Sequence, residues 1–222
     1  MRYKDRRDGG ITLSEHLLGK YGRQNVVVLG LPRGGVVTAA VVAQELDAGL
    51  DVVVTRKIGR PNNPEYALGA IAEGGFLAIN QIDANELPGA WLKEETARQL
   101  QTIAEQVSLF GHSTQNKDLT GKTAILVDDG IATGYTMEAA ILATKAKNPQ
   151  KIAVATPVGS PRLADRFRIL ADDVVVSFAP HSLFAISQYY EEFLDVPEEE
   201  VLEILRSFRS KALPTPSRFD LE

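Results

Sequence analysis

Apolar residues in this chain fall into two kinds of run. Val26–Leu29, Asp51–Thr55, Ala124–Val127, Ile152–Thr156 and Val174–Phe178 are short, dense blocks bounded by polar residues. Such blocks predict strands covered on both faces. Between them the apolar spacing widens to that of helices. Thr12-Leu-Ser-Glu15 predicts a capping box opening a helix to about Tyr21. An Ala/Val-rich helix follows Gly35 and reaches about Leu46, and Leu100, Ile103, Val107 and Phe110 place another over about 93–115. Further helices are expected from about Met137 to Lys147, from about Ser160 to Leu170, and from about Val196. Asp195 and Glu198 cap the last of these, and Pro197 is tolerated in its first turn. Residues 56–82 break the alternation: they are polar and rich in Gly and Pro, with strand-like runs only at Ala67–Ala72 and Phe76–Ile79. This reads as a long excursion carrying a hairpin. The tail after Ser210 holds two prolines and reads as extended or mobile.

Strands alternating with helices give an α/β class with a mostly parallel sheet. In such a sheet the ligand sits off the carboxyl ends of the strands, where the strand order reverses. A chain of 222 residues is long enough for one full core. The formal charge of −5 argues against non-specific nucleic-acid binding. No run approaches a membrane span, and Met1–Gly9 has no apolar core for a secretion signal. Cysteine is absent, which excludes disulfides and thiolate catalysis. The expected compartment is the cytoplasm.

The candidate chemistry lies at the ends of two predicted strands. Ala124-Ile-Leu-Val127 runs into Asp128 and Asp129, then Gly130-Ile131-Ala132-Thr133-Gly134-Tyr135-Thr136, then a helical pattern. Gly130 and Gly134 allow sharp turns and close approach to a ligand. Thr133 and Thr136 add hydroxyl donors, and the following helix aims free N–H groups at an anion. The two carboxylates repel phosphate; they suit sugar hydroxyls or a Mg²⁺ shared with the ligand. After the first strand, Leu31-Pro-Arg33-Gly34-Gly35 offers loop N–H groups and a planar guanidinium for phosphate. Arg56, Lys57 and Arg60 follow the second strand and form either a phosphate pocket or a solvated basic turn. Gly121-Lys122-Thr123 looks like the end of a P-loop but precedes its strand. His16, His112 and His181 lack metal spacing.

The segment Ala124–Thr136 resembles the 5-phosphoribosyl-1-pyrophosphate (PRPP) motif of the type I phosphoribosyltransferases, and Leu31–Gly35 is similar to that family's pyrophosphate loop. The resemblance covers roughly residues 25 to 190. It implies a three-layer α/β/α domain with a mostly parallel twisted sheet, a core of about 25–180, a small hood from about 1–24 and 179–222, and a flexible loop at about 56–82. It also implies that the strands at Val26 and Ile125 are neighbours. The implied activity is transfer of phosphoribosyl from PRPP to a nitrogenous acceptor, with Mg²⁺ as cofactor and pyrophosphate released; a homodimer is left open. Arg33 and Lys57 would neutralise the leaving group, with Arg56 and the glycines 34 and 35 beside them. Asp128 and Asp129 would hold the ribose hydroxyls or Mg²⁺. The loop from Gly130 through Ile131, Ala132, Thr133, Gly134, Tyr135 and Thr136 would take the 5-phosphate. Phe184 would stack on the acceptor, with Tyr189 or Tyr190 as substitutes. Pro61–Tyr66 would act as a lid with Gly59 and Gly69 as hinges. Ala132 stands where 6-oxopurine enzymes carry an acidic residue, which disfavours hypoxanthine or guanine. A PRPP-binding regulator without turnover is the alternative.

Overall fold

The computed structural model describes residues 2–22, 24–111 and 119–212. Two strands set the frame. β1 (Val26–Gly30) and β6 (Thr123–Val127) pair in parallel, with Gly30 opposite Val127. β2 (Gly49–Val52) flanks β1 on one side, and β7 (Lys151–Val158) and β8 (Asp173–Phe178) extend the sheet beyond β6, giving the order β2-β1-β6-β7-β8. The order reverses between β1 and β6, as the family resemblance implies.

The dense apolar runs alternate between faces. Val26 and Val28 of β1, with Ile125 and Val127 of β6, join a core made with α1 (Arg6–Tyr21), α2 (Gly34–Glu45), α4 (Gly89–Gly111) and α7 (Glu198–Ala212). Val27 and Leu29, with Ala124 and Leu126, face α5 (Tyr135–Lys145) and α6 (Pro161–Phe167). Every residue of β1 and β6 is therefore buried, which is why neither strand shows a polar alternation. Among the described residues no helix is long and apolar enough to cross a membrane.

The structure refines the sequence reading at several elements. α1 starts at Arg6, capped by the Asp5 carboxylate, which accepts from the N–H groups of Arg7 and Asp8 at 2.8 and 2.9 Å. Thr12 lies inside that helix and its hydroxyl bonds back to the carbonyl of Asp8 at 3.2 Å. The run read as one strand, 51–55, is the end of β2 joined to the start of a second sheet. Val53 and Val54 stay buried while the backbone changes partners. Residues 56–82, read as an excursion carrying a hairpin, hold that second sheet: the runs at Ala67–Ala72 and Phe76–Ile79 pair antiparallel as a hairpin, and a further strand joins them. β3 (Thr55–Arg60), β4 (Asn63–Ala72) and β5 (Phe76–Ile79) are antiparallel in the order β3-β4-β5, followed by the short α3 (Gln81–Asn85). The β3–β4 turn is Pro61-Asn62, with Arg60 opposite Asn63. Arg60 ties this hairpin to Asp83 and Glu86 at 3.1 and 2.8 Å. The second sheet packs against α5. The end of the helix read as reaching Gln115, His112, and the two prolines of the tail lie outside the described residues.

Candidate active site

The reversal of strand order brings the loops after β1 and β6 into contact. The Leu31 N–H bonds to the carbonyl of Val127 at 3.0 Å, and the Ile131 N–H bonds to that of Val158 at 2.8 Å. The first bond holds the Leu31–Arg33 loop against β6, and the second holds the Asp128–Gly134 loop against β7. Arg33 is exposed at the start of α2, after a cis Pro32–Arg33 peptide.

Gly34 and Gly35 pack directly on the two carboxylates. A Cβ on Gly35 would fall 2.7 Å from Asp128 Oδ1, and one on Gly34 would run into Asp129 Oδ2. Only glycine lets the backbone of the first loop come this close to the acids of the second. The expected grouping of Asp128, Asp129, Gly34 and Gly35 is thus present. Gly130 lies against Ile186, and Ile131 is buried beneath the loop, while Ala132 and Thr133 are exposed. Gly134, at φ +84°, turns the chain into α5, so Tyr135 and Thr136 open the helix two residues before the position read from the sequence. The N–H groups of this first turn have no intrahelical acceptor, and they stand beside the exposed Ala132–Thr133 corner.

Both carboxyls are held above the ordinary aspartate range. For Asp128 burial is the chief cause, followed by the neighbouring charge of Asp129. For Asp129 burial again leads, partly offset by its hydrogen bond and charge interaction with Arg6. The Asp129 N–H donates to Asp128 Oδ1 at 2.9 Å, so one acid orients the other. Two adjacent, desolvated oxygen donors suit Mg²⁺, which commonly takes one or two carboxylates and fills its shell with water and phosphate oxygens. Among the described residues no group of three or more His, Asp or Glu forms a ready-made cage for a metal.

Beside the acids lie the first turn of α1 and the segment 190–196, which belong to the two regions that the family resemblance assigns to a hood. Arg6 Nε donates to Asp129 Oδ2 at 2.6 Å, and its Nη1 to the carbonyl of Leu194 at 2.7 Å. The Tyr190 hydroxyl donates to the backbone carbonyl of Asp129 at 2.6 Å and is buried, its phenol held far above the ordinary range chiefly by that burial. Phe193 stacks on Tyr190 and carries the Arg6 guanidinium 3.8 Å from its ring centre. Arg6 was missed because the helix was started too late. Counting back from the buried Tyr21, Leu17 and Leu13 of α1 through Gly9 leads to Arg6 on the same face.

The remaining candidates stand apart from this cluster. Arg56 Nε bonds to Gln99 Oε1 on α4 at 3.2 Å, and Lys57 pairs with Glu65 across the hairpin at 3.3 Å. Lys57 also lines a cavity of about 280 Å³ with Trp91, Glu95 and Arg98. Phe184 is 86 % exposed. Tyr189 packs on Phe178 with ring centres 5.7 Å apart, and Tyr190 serves the acid loop and not an open pocket.

Known proteins are similar to this chain in sequence and fold. A Thermus thermophilus protein, TT1426, has a crystal structure that superposes with a TM-score of 0.78 at 40 % identity, over 94 % of this chain and 99 % of that one. Two Mycobacterium tuberculosis proteins (strains CDC 1551 and H37Rv), provisionally named phosphoribosyl transferases, are 39 % identical over 205 residues. That alignment covers 91 % of this chain but 46 % of theirs, so the chain spans about half the length of these curated relatives. The purine phosphoribosyltransferase of Pyrococcus horikoshii, at 20 % identity and a TM-score of 0.44 over 77 % of this chain and 81 % of that one, is more distant. The profile of the phosphoribosyl transferase domain matches residues 3–187, and the chain belongs to that family.

Proposed function

We propose that the protein is a PRPP-dependent phosphoribosyltransferase acting on a nitrogenous acceptor. The observation that carries this reading is the packing of Gly34 and Gly35 onto the buried carboxylates of Asp128 and Asp129, where the strand order reverses. It unites a candidate phosphate loop, an acid pair and a helix N-terminus at the carboxyl ends of the strands, where α/β folds bind ligands.

In this reading the Gly130–Thr136 loop and the first turn of α5 receive the 5-phosphate, with Thr133 and Thr136 as hydroxyl donors. Asp128 and Asp129 accept hydrogen bonds from the ribose hydroxyls and orient C1. Arg33 and the N–H groups at Gly34 and Gly35 hold the pyrophosphate as a nitrogen nucleophile displaces it from C1. Asp128 and Asp129 are also the residues that would hold Mg²⁺, which would supply charge neutralisation at the pyrophosphate. The β3–β4 hairpin, which carries Arg56 and Lys57, serves as the cover that keeps water from an electron-poor sugar carbon. Phe184 is the acceptor's stacking partner once that cover is closed. Ala132 supplies no acid to a purine nitrogen, so a 6-oxopurine is disfavoured as the acceptor.

A regulator that binds PRPP without turnover is favoured by the exposure of Phe184, which leaves the acceptor side open. Isotopically labelled PRPP incubated with a panel of nucleobases and amines, with product masses recorded, separates the two. A transferase yields a phosphoribosylated product with loss of pyrophosphate. Binding without any product across the panel selects the regulator.

A further inference from the structure

The acid pair already holds a cation of its own. One side chain, Arg6, bonds to Asp129 Oδ2 at 2.6 Å and to the Leu194 carbonyl at 2.7 Å, and lies 3.8 Å over Phe193. It thereby joins the two arms of the hood, the start of α1 and the segment 190–196, across the mouth of the site. Side-chain exposures of 12 % for Arg6 and 14 % for Asp129 place the pair in a medium where charge interactions outweigh those of a surface pair.

This position is contested. A cation ligated at Asp129 Oδ2 would stand at roughly 2.1 Å from that oxygen, within a few ångströms of the guanidinium hydrogen-bonded to the same atom. The two cannot share it without strong repulsion. Arg6 also has a second place to go. It lines a cleft of about 160 Å³ whose other walls include four acidic residues, Asp5, Glu192, Asp195 and Glu200, against one further cation, Arg7. A guanidinium released from Asp129 would there meet new counter-charges without leaving the hood.

We infer that Arg6 is a latch that competes with incoming cations for Asp129 and couples the state of the acid pair to closure of the hood. In the latched state Arg6 neutralises Asp129 and the hood is shut. In the unlatched state Arg6 lies in the carboxylate-lined cleft and Asp129 is free to ligate. A ligand that must displace Arg6 binds with an apparent affinity lowered by the latched fraction. The inference rests on the proposed function only for the ligand that does the displacing in use.

The probe is Mn²⁺ alone, followed by its paramagnetic effect on water relaxation, with amide exchange of residues 3–9 and 186–196 recorded in parallel. Arg6→Met should bind Mn²⁺ at least tenfold more tightly than the unmodified protein. Phe193→Leu, which leaves the charge but removes the ring beneath it, should show a smaller gain. Adding Asp129→Asn to Arg6→Met should abolish the gain. In the unmodified protein Mn²⁺ should speed exchange across 190–196, and Arg6→Met should exchange quickly there without metal. Equal Mn²⁺ affinity with and without Arg6, no Mn²⁺ binding by any variant, or a gain that survives Asp129→Asn would each overturn the latch. If Arg6→Met fails to fold, Phe193→Leu decides alone, an unchanged affinity overturning the inference. Mg·PRPP forms the second arm. Tighter binding by Arg6→Met is expected, and weaker binding overturns the latch, since Arg6 would then serve the ligand. Failure of PRPP to bind any variant while the Mn²⁺ results hold removes PRPP from the proposed function and leaves the latch standing.

Discussion

Helix α1 meets the central sheet through a carboxylate at each of its ends. Arg6, in the first turn, reaches Asp129 after β6; Lys20 and Tyr21, in the last turn, reach Asp173 at the start of β8. At Asp173 burial raises the carboxyl's pKa, but the Tyr21 hydroxyl at 2.7 Å and the Lys20 ammonium at 2.9 Å outweigh it, and the net shift is downward. At Asp129 burial also raises the pKa, and there Arg6 offsets it only in part, so the net shift is upward; Asp128 moves the same way. The fold favours an ionised Asp173 and tolerates an ionised acid pair. A carboxylate that the fold improves is a fastener. One that it keeps buried against its own ionisation, at the carboxyl end of a central strand, is a candidate for chemistry.

That contrast can be broken or sharpened by substitution. The largest effect is expected at the ligand end. Arg33→Ala should weaken PRPP and pyrophosphate binding by on the order of 2 kcal/mol, the scale of a hydrogen bond to a charged group. It should leave ribose 5-phosphate affinity nearly unchanged when the three ligands are titrated by calorimetry. Equal losses for all three would mean that the loop had collapsed.

Next come two stability changes of opposite sign, read from denaturant unfolding across a pH series. Asp128→Asn should stabilise the fold at neutral pH, because burial and the neighbouring Asp129 charge hold the carboxyl above its ordinary range. The folded pKa is raised, so the penalty of ionisation is full above that value and shrinks as pH falls, vanishing below the ordinary aspartate value of about 3.9. Asp173→Asn should destabilise by about 1 kcal/mol through the lost Tyr21 and Lys20 bonds. Its folded pKa is lowered, so its contribution is present above about 3.9 and disappears as pH falls through the folded value. Two curves of the same sign would erase the distinction between fastener and site.

The smallest effect concerns salt. The Lys20–Asp173 pair is exposed, at 56 % and 28 % of the two side chains. Lys20→Ala should therefore lose less than about 1 kcal/mol at low ionic strength and close to nothing in molar salt. The same comparison for Arg6→Met should show much weaker salt dependence, because that pair is covered.

Much of this frame was legible in the order of residues. Val26–Leu29 and Ala124–Val127 alternate their burial between two faces, and a short run apolar at every position fits a strand covered on both sides. The acid pair and the glycines of both loops sit where those strands end, so their meeting followed from the topology. What was hidden was hidden for physical reasons. Gly9 and Gly10 belong to α1 and let it approach its neighbours, a packing role that no local pattern announces: a Cβ on Gly10 would fall 2.8 Å from Val41. Val53 and Val54 prolong an apolar run across a change of sheet. The pairing of β3 with β4 satisfies the backbone of a segment whose side chains look like those of a loop. Arg6 and Asp129 are 123 positions apart, and no local pattern links them.

The central claim is that the paired loops form a PRPP site. Calorimetric titration of Mg·PRPP into the unmodified protein and into the Asp128→Asn, Asp129→Asn double variant tests it most directly. The account predicts saturable binding by the unmodified protein and a loss on the order of 1–3 kcal/mol in the double variant, the scale of lost charged hydrogen bonds, with the fold intact. Equal affinity in the two proteins would contradict it.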